Sequence, residues 1–461
     1  MKINSTRRQF IWATASFGAF ISNTYAMNAI LSKKKWYKGN LHMHTRWSDG
    51  KAFPEEAVMW YKSRGYNFIG ISDHNLFQDN PNKFASMADP EKKLRGFSQK
   101  ELDRYVANYP DAEVGTGKDG RKQVRLKTFD ELSKIYNSDG EFVMIPNVEA
   151  TRGISVNGSS HQLHMNYVNL PGLLPSYKSK GFKWGLNDGT TVAEFLGQHA
   201  RETAEFAKTF GKDYLFILNH PIWMWYDVGP EAVVANPDVR FFELCNGGSP
   251  WKPAEGLPTD GFDTDRFWDV VNAFRARRGQ KLLYGVGTDD THFYHGEKNK
   301  MCIPGNAWSL VRSNELTADA IVKAMNEGDF VTCEGIEPKD VYFDSKEKRL
   351  DVSVEAKPTV KRTIKFIVSK ADFSETPVKT LTISRGNNSK FNRTINIYDE
   401  KVGMVVKTVE GKVGEALSAS YVMQKDDLYV RARIEEDGQP ICTANLHPQG
   451  KFVAWTQPYG A

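Results

Sequence analysis

The chain has 461 residues, of which 40% are apolar, 25% charged and 12% aromatic, a composition typical of a folded globular protein rather than of a disordered or membrane-embedded one. This length exceeds the size at which a single hydrophobic core usually stops growing, so we expect one large domain and a smaller one. The formal net charge of +5 falls to +2 when Lys2, Arg7 and Arg8 are left out, and charge therefore does not indicate a nucleic-acid partner.

Residues 1–26 have the composition of a secretory signal peptide. The basic pair Arg7 and Arg8 precedes an apolar run, residues 11–21, that is too short to span a bilayer as a helix. The order TRRQFI resembles the twin-arginine export signal, although neighbouring arginines also arise by chance. We expect a cleaved signal of the twin-arginine type and a product that is periplasmic, or otherwise extracytoplasmic, without a stable membrane anchor.

From residue 36 to residue 335, strand-like runs alternate with amphipathic helical patterns, which favours βα units. The predicted strands are GNLHMHT, NFIGISDH, EFVMIPNVEAT, LHMNYVNL, YLFILNHP, VRFFELCNG, KLLYGVGTDD and AWSLVRS. The predicted helices are PEEAVMWYKSRG, TVAEFLGQHARETAEFAKTFG, DRFWDVVNAFRARRGQ and TADAIVKAMNEG. Eight such strands with helices between them predict an α/β, TIM-like barrel.

Two segments depart from this alternation. Residues 76–140 are polar and rich in lysine, and they are too long for a simple βα loop. We expect a partly helical insertion beside the site, which either selects substrates or takes no part in the reaction. Residues 340–461 alternate apolar and polar side chains between turn-forming residues, which predicts an all-β, sandwich-like C-terminal domain.

The histidines indicate a metal site. The pair His42 and His44 would lie on one face of a strand, which by itself is compatible with chance. Six of the ten histidines, however, fall at or just beyond predicted strand ends, namely His42, His44, His74, His164, His220 and His292. Glu149 and Asp290 fall at the same ends, and Asp49 and Asp73 lie in adjoining loops. In a βα barrel these ends form one rim, where so many titratable groups would repel one another unless cations compensated them.

The donor types limit the choice of metal. Imidazole and carboxylate groups without a thiolate favour divalent Zn, Mn or Fe. The four cysteines lie far apart and indicate neither a zinc ribbon nor a scaffold dense in disulfides. Because one ion binds only about four to six ligands, the set predicts two to three ions with one carboxylate bridging between them.

The motifs HMHTRWSDG, SDHN, NVEA, HMNYVNL, NHP and DDTH, in this order over residues 40–292, resemble those of the PHP (polymerase and histidinol phosphatase) family. The resemblance implies a distorted (β/α)7 barrel with a trinuclear site, and thus seven barrel strands rather than eight. It implies a first ion held by His42, His44, Glu149 and Asp290, a second by Glu149, His164 and His220, and a third by Asp49, His74 and His292. Asp49 stands where several phosphatase members have a histidine. The stretches HMNYVNL and FELCNG and the C-terminal DLYVRARIEEDG look most like the branch that includes carbaryl hydrolase.

Two ligand assignments have a close competitor in the sequence. His161 lies three residues before His164, and Asp289 directly precedes Asp290. We prefer His164 because HMNYVNL matches the branch, and Asp290 because D-x-H is the family spacing. We expect His199 and His295 to lie at the surface or directly behind the ligands, and His447 to belong to the C-terminal domain.

A multinuclear centre predicts hydrolysis by a metal-bound hydroxide, which Glu149, Asp290 and His292 would hold. The sequence contains no G-x-S-x-G motif or Gly-rich phosphate loop that would indicate a competing mechanism. A phosphate mono- or diester is the expected small-molecule substrate, since this is the family's commonest activity. Arg46 and Arg152, which follow the H-x-H pair and Glu149, could bind phosphate oxygens, or they could simply be exposed arginines.

Two other functions stay open. Carbamate, amide or ester hydrolysis is supported by the carbaryl-hydrolase resemblance and by aromatic residues that could stack a substrate or merely pack in loops, namely Trp223, Trp225, Tyr226 and Trp251. A non-catalytic exported binding protein is the further alternative, and the complete set of ligand-competent residues argues against it.

Overall fold

The structure is a computed structural model that describes residues 34–178, 191–222, 226–247, 263–296, 302–385, 388–437 and 451–461. The predicted signal lies outside these ranges, as do Trp223, Trp225, Trp251 and His447. In the part of the chain that is described, no helix combines the length and the hydropathy that a membrane span requires.

Helices and strands alternate through the first two thirds of the chain. The helices within the described ranges are α1 (Pro54–Lys62), α2 (Gln99–Asn108), α3 (Phe129–Tyr136), α4 (Pro175–Lys178), α5 (Val192–Lys208), α6 (Pro230–Val234), α7 (Thr264–Arg277) and α8 (Ala318–Asn326). The strands are β1 (Lys35–Asn40), β2 (Phe68–Ile69), β3 (Phe84–Ser86), β4 (Val114–Thr116), β5 (Lys122–Arg125), β6 (Val143–Met144), β7 (Asn147–Val156), β8 (Ser159–Val168), β9 (Leu215–Leu218), β10 (Phe241–Asn246), β11 (Tyr284–Thr288), β12 (Trp308–Ser313), β13 (Phe330–Glu334), β14 (Asp340–Asp344), β15 (Arg349–Val354), β16 (Arg362–Lys370), β17 (Lys379–Arg385), β18 (Asn388–Ile397), β19 (Met404–Glu410), β20 (Leu417–Val422), β21 (Asp427–Asp437) and β22 (Lys451–Thr456).

The four helices expected from periodicity are present as α1, α5, α7 and α8. Side-chain oxygens cap three of them at the N-terminus: Thr191 accepts from the amide of Glu194, Asp263 from Arg266 and Thr317 from Ala320. Each cap satisfies one of the amide groups that the first helical turn leaves without a partner.

Two large sheets carry the candidate site. A nine-stranded sheet has the order β19-β16-β21-β22-β13-β12-β1-β2-β6, and a five-stranded sheet has the order β11-β10-β9-β8-β7. The pairs β1-β2, β2-β6, β9-β10 and β10-β11 are parallel, as βα units require, whereas β12 pairs with β1 antiparallel. The mixed α/β class is therefore confirmed.

A TIM-like barrel is not confirmed, since among the described residues no ladder joins the two large sheets into a closed ring. Strand β8 is the main departure, because it runs antiparallel to both β7 and β9. The cause is a two-residue hairpin turn in which Asn157 has φ of 49° and Gly158 has φ of 78°, the left-handed pair that an Asn-Gly hairpin turn uses. Isolated parallel bridges, Met43 with Thr291 and His74 with Glu149, link the two sheets beyond the ends of β1 and β2.

The insertion over residues 76–140 contains α2, α3 and the small antiparallel sheet β3-β5-β4. It packs on the loop that follows β1. The indole of Trp47 is buried and donates to the carbonyl oxygen of Lys127 at 3.1 Å, and Gln78 donates to Asp73 at 3.0 Å. The insertion thus lies beside the candidate site and supports the loop that carries part of it.

The C-terminal strands do not form an isolated sandwich, because β16, β21 and β22 continue the nine-stranded sheet that also contains β1. Their side chains share hydrophobic clusters with the first part of the chain, as Trp455 does with Trp268. The buried carboxylate of Asp269 in α7 accepts from Arg431 at 2.6 Å and from the Tyr429 hydroxyl at 2.7 Å. The division into residues 36–335 and 340–461 stays a prediction.

Candidate metal centre

The structure brings all nine sequence-predicted ligands into one cluster. They come from the segments that follow β1 (His42, His44, Asp49), β2 (His74), β9 (His220) and β11 (Asp290, His292), and from the strands β7 (Glu149) and β8 (His164). Four overlapping groups bring their donor atoms within 4.8 Å of one another: His44 with Asp49, His74 and His292; His42 with His44 and Glu149; His42 with His220 and Asp290; and His74 with Glu149 and His164.

The inner part of the cluster is buried. The Nε2 atom of His42 lies 3.2 Å from His44 Nε2, 3.2 Å from Asp290 Oδ1 and 3.4 Å from Glu149 Oε1. The Nε2 atom of His44 lies 3.1 Å from Asp290 Oδ1 and 3.4 Å from Glu149 Oε2. The two imidazoles are fully buried, and 1% of the Glu149 side chain and 7% of the Asp290 side chain are exposed.

Glu149 joins the inner part to three further histidines. Its Oε1 atom lies 3.0 Å from His164 Nδ1 and 3.7 Å from His220 Nε2. Its Oε2 atom lies 2.7 Å from His74 Nδ1. One carboxylate therefore contacts histidines from both large sheets, which is the position that a bridging ligand would need.

The outer part of the cluster faces solvent. His292 Nε2 lies 3.3 Å from Asp49 Oδ1, His74 Nε2 lies 3.7 Å from Asp49 Oδ2, and His44 Nδ1 lies 3.8 Å from Asp49 Oδ1. The Asp49 side chain is 55% exposed and that of His74 is 27% exposed. Access to the cluster therefore lies on the side of the Asp49 loop.

The electrostatics are those of closely packed opposite charges. Burial by itself would lower the pKa of His42, but the carboxylates of Asp290, Glu243 and Glu149 raise it well above its usual value. Burial would raise the pKa of Glu149 and Asp290, yet the charge of His42 and of other cluster histidines holds both pKa values well below the usual range. Burial, together with the charge of His292, lowers the pKa of His44 to about 4.

Several residues that sequence reasoning missed hold the ligands in place. Glu243 in β10 accepts from the Nδ1 atom of His42 at 2.6 Å, and Asn219 donates to Glu149 Oε1 at 3.0 Å. Asp73, placed near the rim by sequence but given no function, accepts from the backbone and hydroxyl of Thr45 and from the Ser48 hydroxyl, at 2.6 to 2.9 Å. A carboxylate in the apolar run of VRFFELCNG is the sequence signal that could have indicated Glu243, because an isolated buried charge requires polar partners.

The structure separates both pairs of competing ligands. Asp290 Oδ1 lies in the cluster, whereas Asp289 points to the segment 305–307 and accepts from its three backbone amides and from the Tyr61 hydroxyl. His164 lies in the cluster, whereas the Nδ1 atom of His161 lies 2.7 Å from the carbonyl oxygen of Asp227.

The other described histidines have partners elsewhere. His199 Nε2 lies 2.9 Å from the Tyr177 hydroxyl, and His295 Nε2 lies 3.3 Å from Glu56 Oε1. His199 is fully buried and therefore not at the surface, whereas the His295 side chain is 26% exposed, and neither belongs to the candidate ligand groups among the described residues.

The two arginines predicted to bind substrate are engaged elsewhere. The guanidinium of Arg46 pairs with Glu101 in α2 and lies 5.2 Å from the centroid of the Phe53 ring, and 7% of its side chain is exposed. The guanidinium of Arg152 lies 4.6 Å from the centroid of the Tyr177 ring. Arg152 is three residues from Glu149 on one strand, and this odd spacing places the two side chains on opposite faces. Neither contact favours the predicted role in substrate binding.

The donor set fits divalent ions. Ligand atoms bound to one ion at about 2.0–2.1 Å stand roughly 3.0–3.4 Å apart, and the inner contacts of His42 and His44 with Asp290 and Glu149 fall within this range. The buried Nδ1 atom of His44 has no hydrogen-bond partner among the described residues. The assignment of ligands to individual ions, and of a hydroxide to Glu149, Asp290 and His292, stays a prediction.

Comparison with known proteins gives structural likenesses of low similarity. No family model and no curated protein matches the chain. A two-domain protein from Bacteroides vulgatus, containing a predicted PHP-like metal-dependent phosphoesterase, is 12% identical with a TM-score of 0.36, over 92% of this chain and 96% of that one. A protein from Bifidobacterium adolescentis proposed to be a metal-dependent phosphoesterase is 11% identical with a TM-score of 0.27, over 57% of this chain and 89% of that one. An amidohydrolase from Chromobacterium violaceum with bound sulfate and no metal is 13% identical with a TM-score of 0.26, over 58% of this chain and 88% of that one. At these scores the likenesses do not establish the family or the activity of this chain.

Proposed function

We propose that this chain is a metal-dependent hydrolase of the PHP type, with a distorted barrel around two to three divalent ions and a phosphate ester as its substrate. The observation that carries the proposal is the convergence of six imidazoles and three carboxylates from both large sheets on one partly open cluster. Buried donors aimed at one another in this way are costly without a cation to compensate them.

The proposed ligands would have the following roles. His42, His44 and Asp290 would hold the buried side of the centre, Glu149 would serve as the shared ligand, His164 and His220 would complete the position beside Glu149, and Asp49, His74 and His292 would hold the open side. Bound divalent ions would lower the pKa of water toward neutrality and polarise the oxygen under attack. The exposed position of Asp49 gives the substrate its approach, and the burial of His42 excludes bulk water from the opposite side.

With three bound ions, charge favours a phosphate ester over a neutral substrate. Three divalent ions would carry more positive charge than the four nearby carboxylates neutralise, namely Asp49, Glu149, Glu243 and Asp290. A loaded centre with surplus positive charge attracts an anionic substrate. Carbamate or ester hydrolysis is supported by the sequence resemblance alone, because the one described aromatic residue of that prediction, Tyr226, is buried with 7% of its surface exposed.

The test combines metal content with activity. We expect two to three equivalents of Zn, Mn or Fe by plasma mass spectrometry, together with turnover of an aryl phosphate mono- or diester. His42→Ala and Glu149→Ala should reduce both, whereas His161→Ala removes a nearby histidine outside the cluster and should leave both unchanged. Turnover of an aryl carbamate alone would favour the second function, and a chain that takes up no metal would refute the enzyme proposal in favour of a binding protein.

We also propose that the protein is exported by the twin-arginine route, on the basis of its first 26 residues. The support is the order TRRQFI followed by a short apolar run. Replacing both Arg7 and Arg8 by lysine should retain the precursor in the cytoplasm, as measured by fractionation and by the mass of the mature chain. An unchanged distribution would refute this route.

A further inference from the structure

The buried carboxylate of Glu243 is bonded to four donors. Its Oε1 atom lies 2.6 Å from His42 Nδ1 and accepts from the Thr288 hydroxyl at 2.6 Å. Its Oε2 atom accepts from the backbone amide of His220 at 2.7 Å and from the side chain of Asn246 at 2.8 Å. Glu243 is 1% exposed, and it belongs to none of the four groups of candidate metal ligands among the described residues.

The contact with His42 determines which ring nitrogen faces the cluster with a lone pair. An ionised carboxylate accepts hydrogen bonds and cannot donate them, so the proton of a neutral His42 resides on Nδ1. The lone pair then resides on Nε2, which is the atom that lies 3.2 Å from Asp290 and 3.4 Å from Glu149. Metal-ligating histidines are held in this manner by an acceptor on the distal ring nitrogen.

The contact with His220 acts on the backbone. His220 has a positive φ of 23°, a conformation that residues other than glycine rarely adopt and that persists only when the surroundings hold it. The hydrogen bond from its amide to Glu243 is one such restraint. The imidazole of His220 lies with its Nε2 atom 3.7 Å from Glu149 and 3.9 Å from Asp290.

We infer that Glu243 is a positioning residue, which fixes the ring of His42 and the backbone of His220 so that both present a donor nitrogen to the inner side of the centre. This inference rests on the proposed metal-dependent function. Glu243 links two ligands that are 178 positions apart in the chain and that belong to different sheets, and its removal should therefore affect the inner ions more than the outer one.

The experiment measures binding of Zn²⁺ alone to the metal-stripped full chain, by competition with a chromophoric chelator. In Glu243→Gln, one amide must replace a carboxylate that accepts on both sides. If its NH2 group takes the place of Oε2, it faces the donors of His220 and Asn246. If it takes the place of Oε1, it faces His42 Nδ1 and favours the tautomer with the proton on Nε2. We expect at least one equivalent to bind about 10–100-fold more weakly, while the remaining equivalents keep the wild-type affinity.

The matched control is Glu334→Gln. Glu334 is also a buried strand carboxyl, 4% exposed, and it forms a hydrogen bond with Cys245, which is two residues from Glu243. This variant should bind Zn²⁺ as the wild type does. Glu243→Asp provides a second variant in case the glutamine variant does not fold, because it keeps the charge but is too short to reach His42 without movement, and it should weaken the same equivalent.

The outcomes separate the two proposals. If the wild type binds Zn²⁺ and both Glu243 variants bind it equally well, the positioning role is refuted and the metal centre stands. If all equivalents weaken together and the unfolding midpoint of the metal-free chain falls in parallel, Glu243 has only a structural role and the inference is refuted. A wild-type chain that binds no Zn²⁺ would refute the proposed function, and the inference with it.

Discussion

The glycine of the SDG motif provides a sharp test of the site geometry. Gly50 is buried against the segment after β1 that carries the H-x-H pair, and a Cβ atom there would lie 2.5 Å from the carbonyl carbon and oxygen of His44 and 2.6 Å from the amide nitrogen of Thr45. Ordinary contact begins at 3.4 Å. Gly50→Ala must therefore separate these backbone segments by roughly 0.9 Å, since backbone atoms cannot rotate away as a side chain can.

A displacement of this size exceeds the tolerance of a metal site, where ligand distances hold to within about 0.2 Å. It would move Asp49, which adjoins Gly50, relative to His44. We expect Gly50→Ala to lose the ion on the open side of the centre and to reduce the free energy of unfolding by about 1–3 kcal/mol, the usual cost of overpacking.

The assay is metal content per chain, together with denaturant unfolding of the metal-free protein. Gly115→Ala is the control, because a Cβ atom at Gly115 meets nothing within 4 Å and the backbone φ there is not positive. The reasoning is refuted if Gly50→Ala keeps the wild-type metal content and a free energy of unfolding within about 0.5 kcal/mol of the wild type, the range of a neutral surface change.

Three further predictions follow from the contacts described. Arg46→Ala should reduce the free energy of unfolding by about 1.5–3 kcal/mol, because the charged hydrogen bond to Glu101 is lost, and should leave KM for an aryl phosphate unchanged. A raised KM at unchanged stability would instead support a role of Arg46 in substrate binding. Burial raises the pKa of Glu334 to about 8, so the folded chain retains a proton that the unfolded chain releases, and the free energy of unfolding falls as the pH rises toward 8. Glu334→Gln should flatten this fall by up to about 1.4 kcal/mol per pH unit. An unchanged slope of the unfolding free energy against pH, measured in denaturant titrations, contradicts the assignment. Asp290→Ala should lose metal while the metal-free chain stays folded, whereas Asp289→Ala should lower the melting temperature, because four donors lose their acceptor; equal melting temperatures would contradict this division.

Much of the site is predictable because its donors follow local patterns. Seven of the nine predicted ligands lie in segments that follow a strand, and side chains from such positions meet when strands are parallel neighbours. Glu149 and His164 instead lie within the antiparallel strands β7 and β8. The alternation of strands and helices gave the α/β class for the same reason. The barrel prediction is not confirmed, and the departure begins at VNG, residues 156–158, where Asn-Gly between two apolar runs is a hairpin signal. The predicted strand LHMNYVNL lies in β8, which is antiparallel to both of its neighbours.

The residues that hold the ligands in place were missed in the sequence for a different reason. Glu243 and Asn219 act through contacts with residues at distant positions in the chain, 201 positions apart for Glu243 and His42 and 70 for Asn219 and Glu149. Such pairs leave no periodic or spacing signal. Arg46 and Arg152 show the converse, since their nearness in sequence to His44 and Glu149 suggested a role at the cluster. Arg152 lies on the opposite strand face from Glu149, and Arg46, in the loop after β1, pairs with Glu101.

The sequence by itself determined which chemical groups are available: imidazoles and carboxylates in ordered motifs, without a thiolate or an alternative nucleophile. Only the tertiary structure decided which of two neighbours enters the cluster. His161 and His164 differ by three positions, so they lie on opposite faces of β8, and the ladder that pairs Asn166 with Glu149 and His164 with Thr151 places His164 on the face of Glu149. That register depends on the turn at Asn157 and Gly158 and on packing against distant strands, and a motif in a single segment cannot specify it.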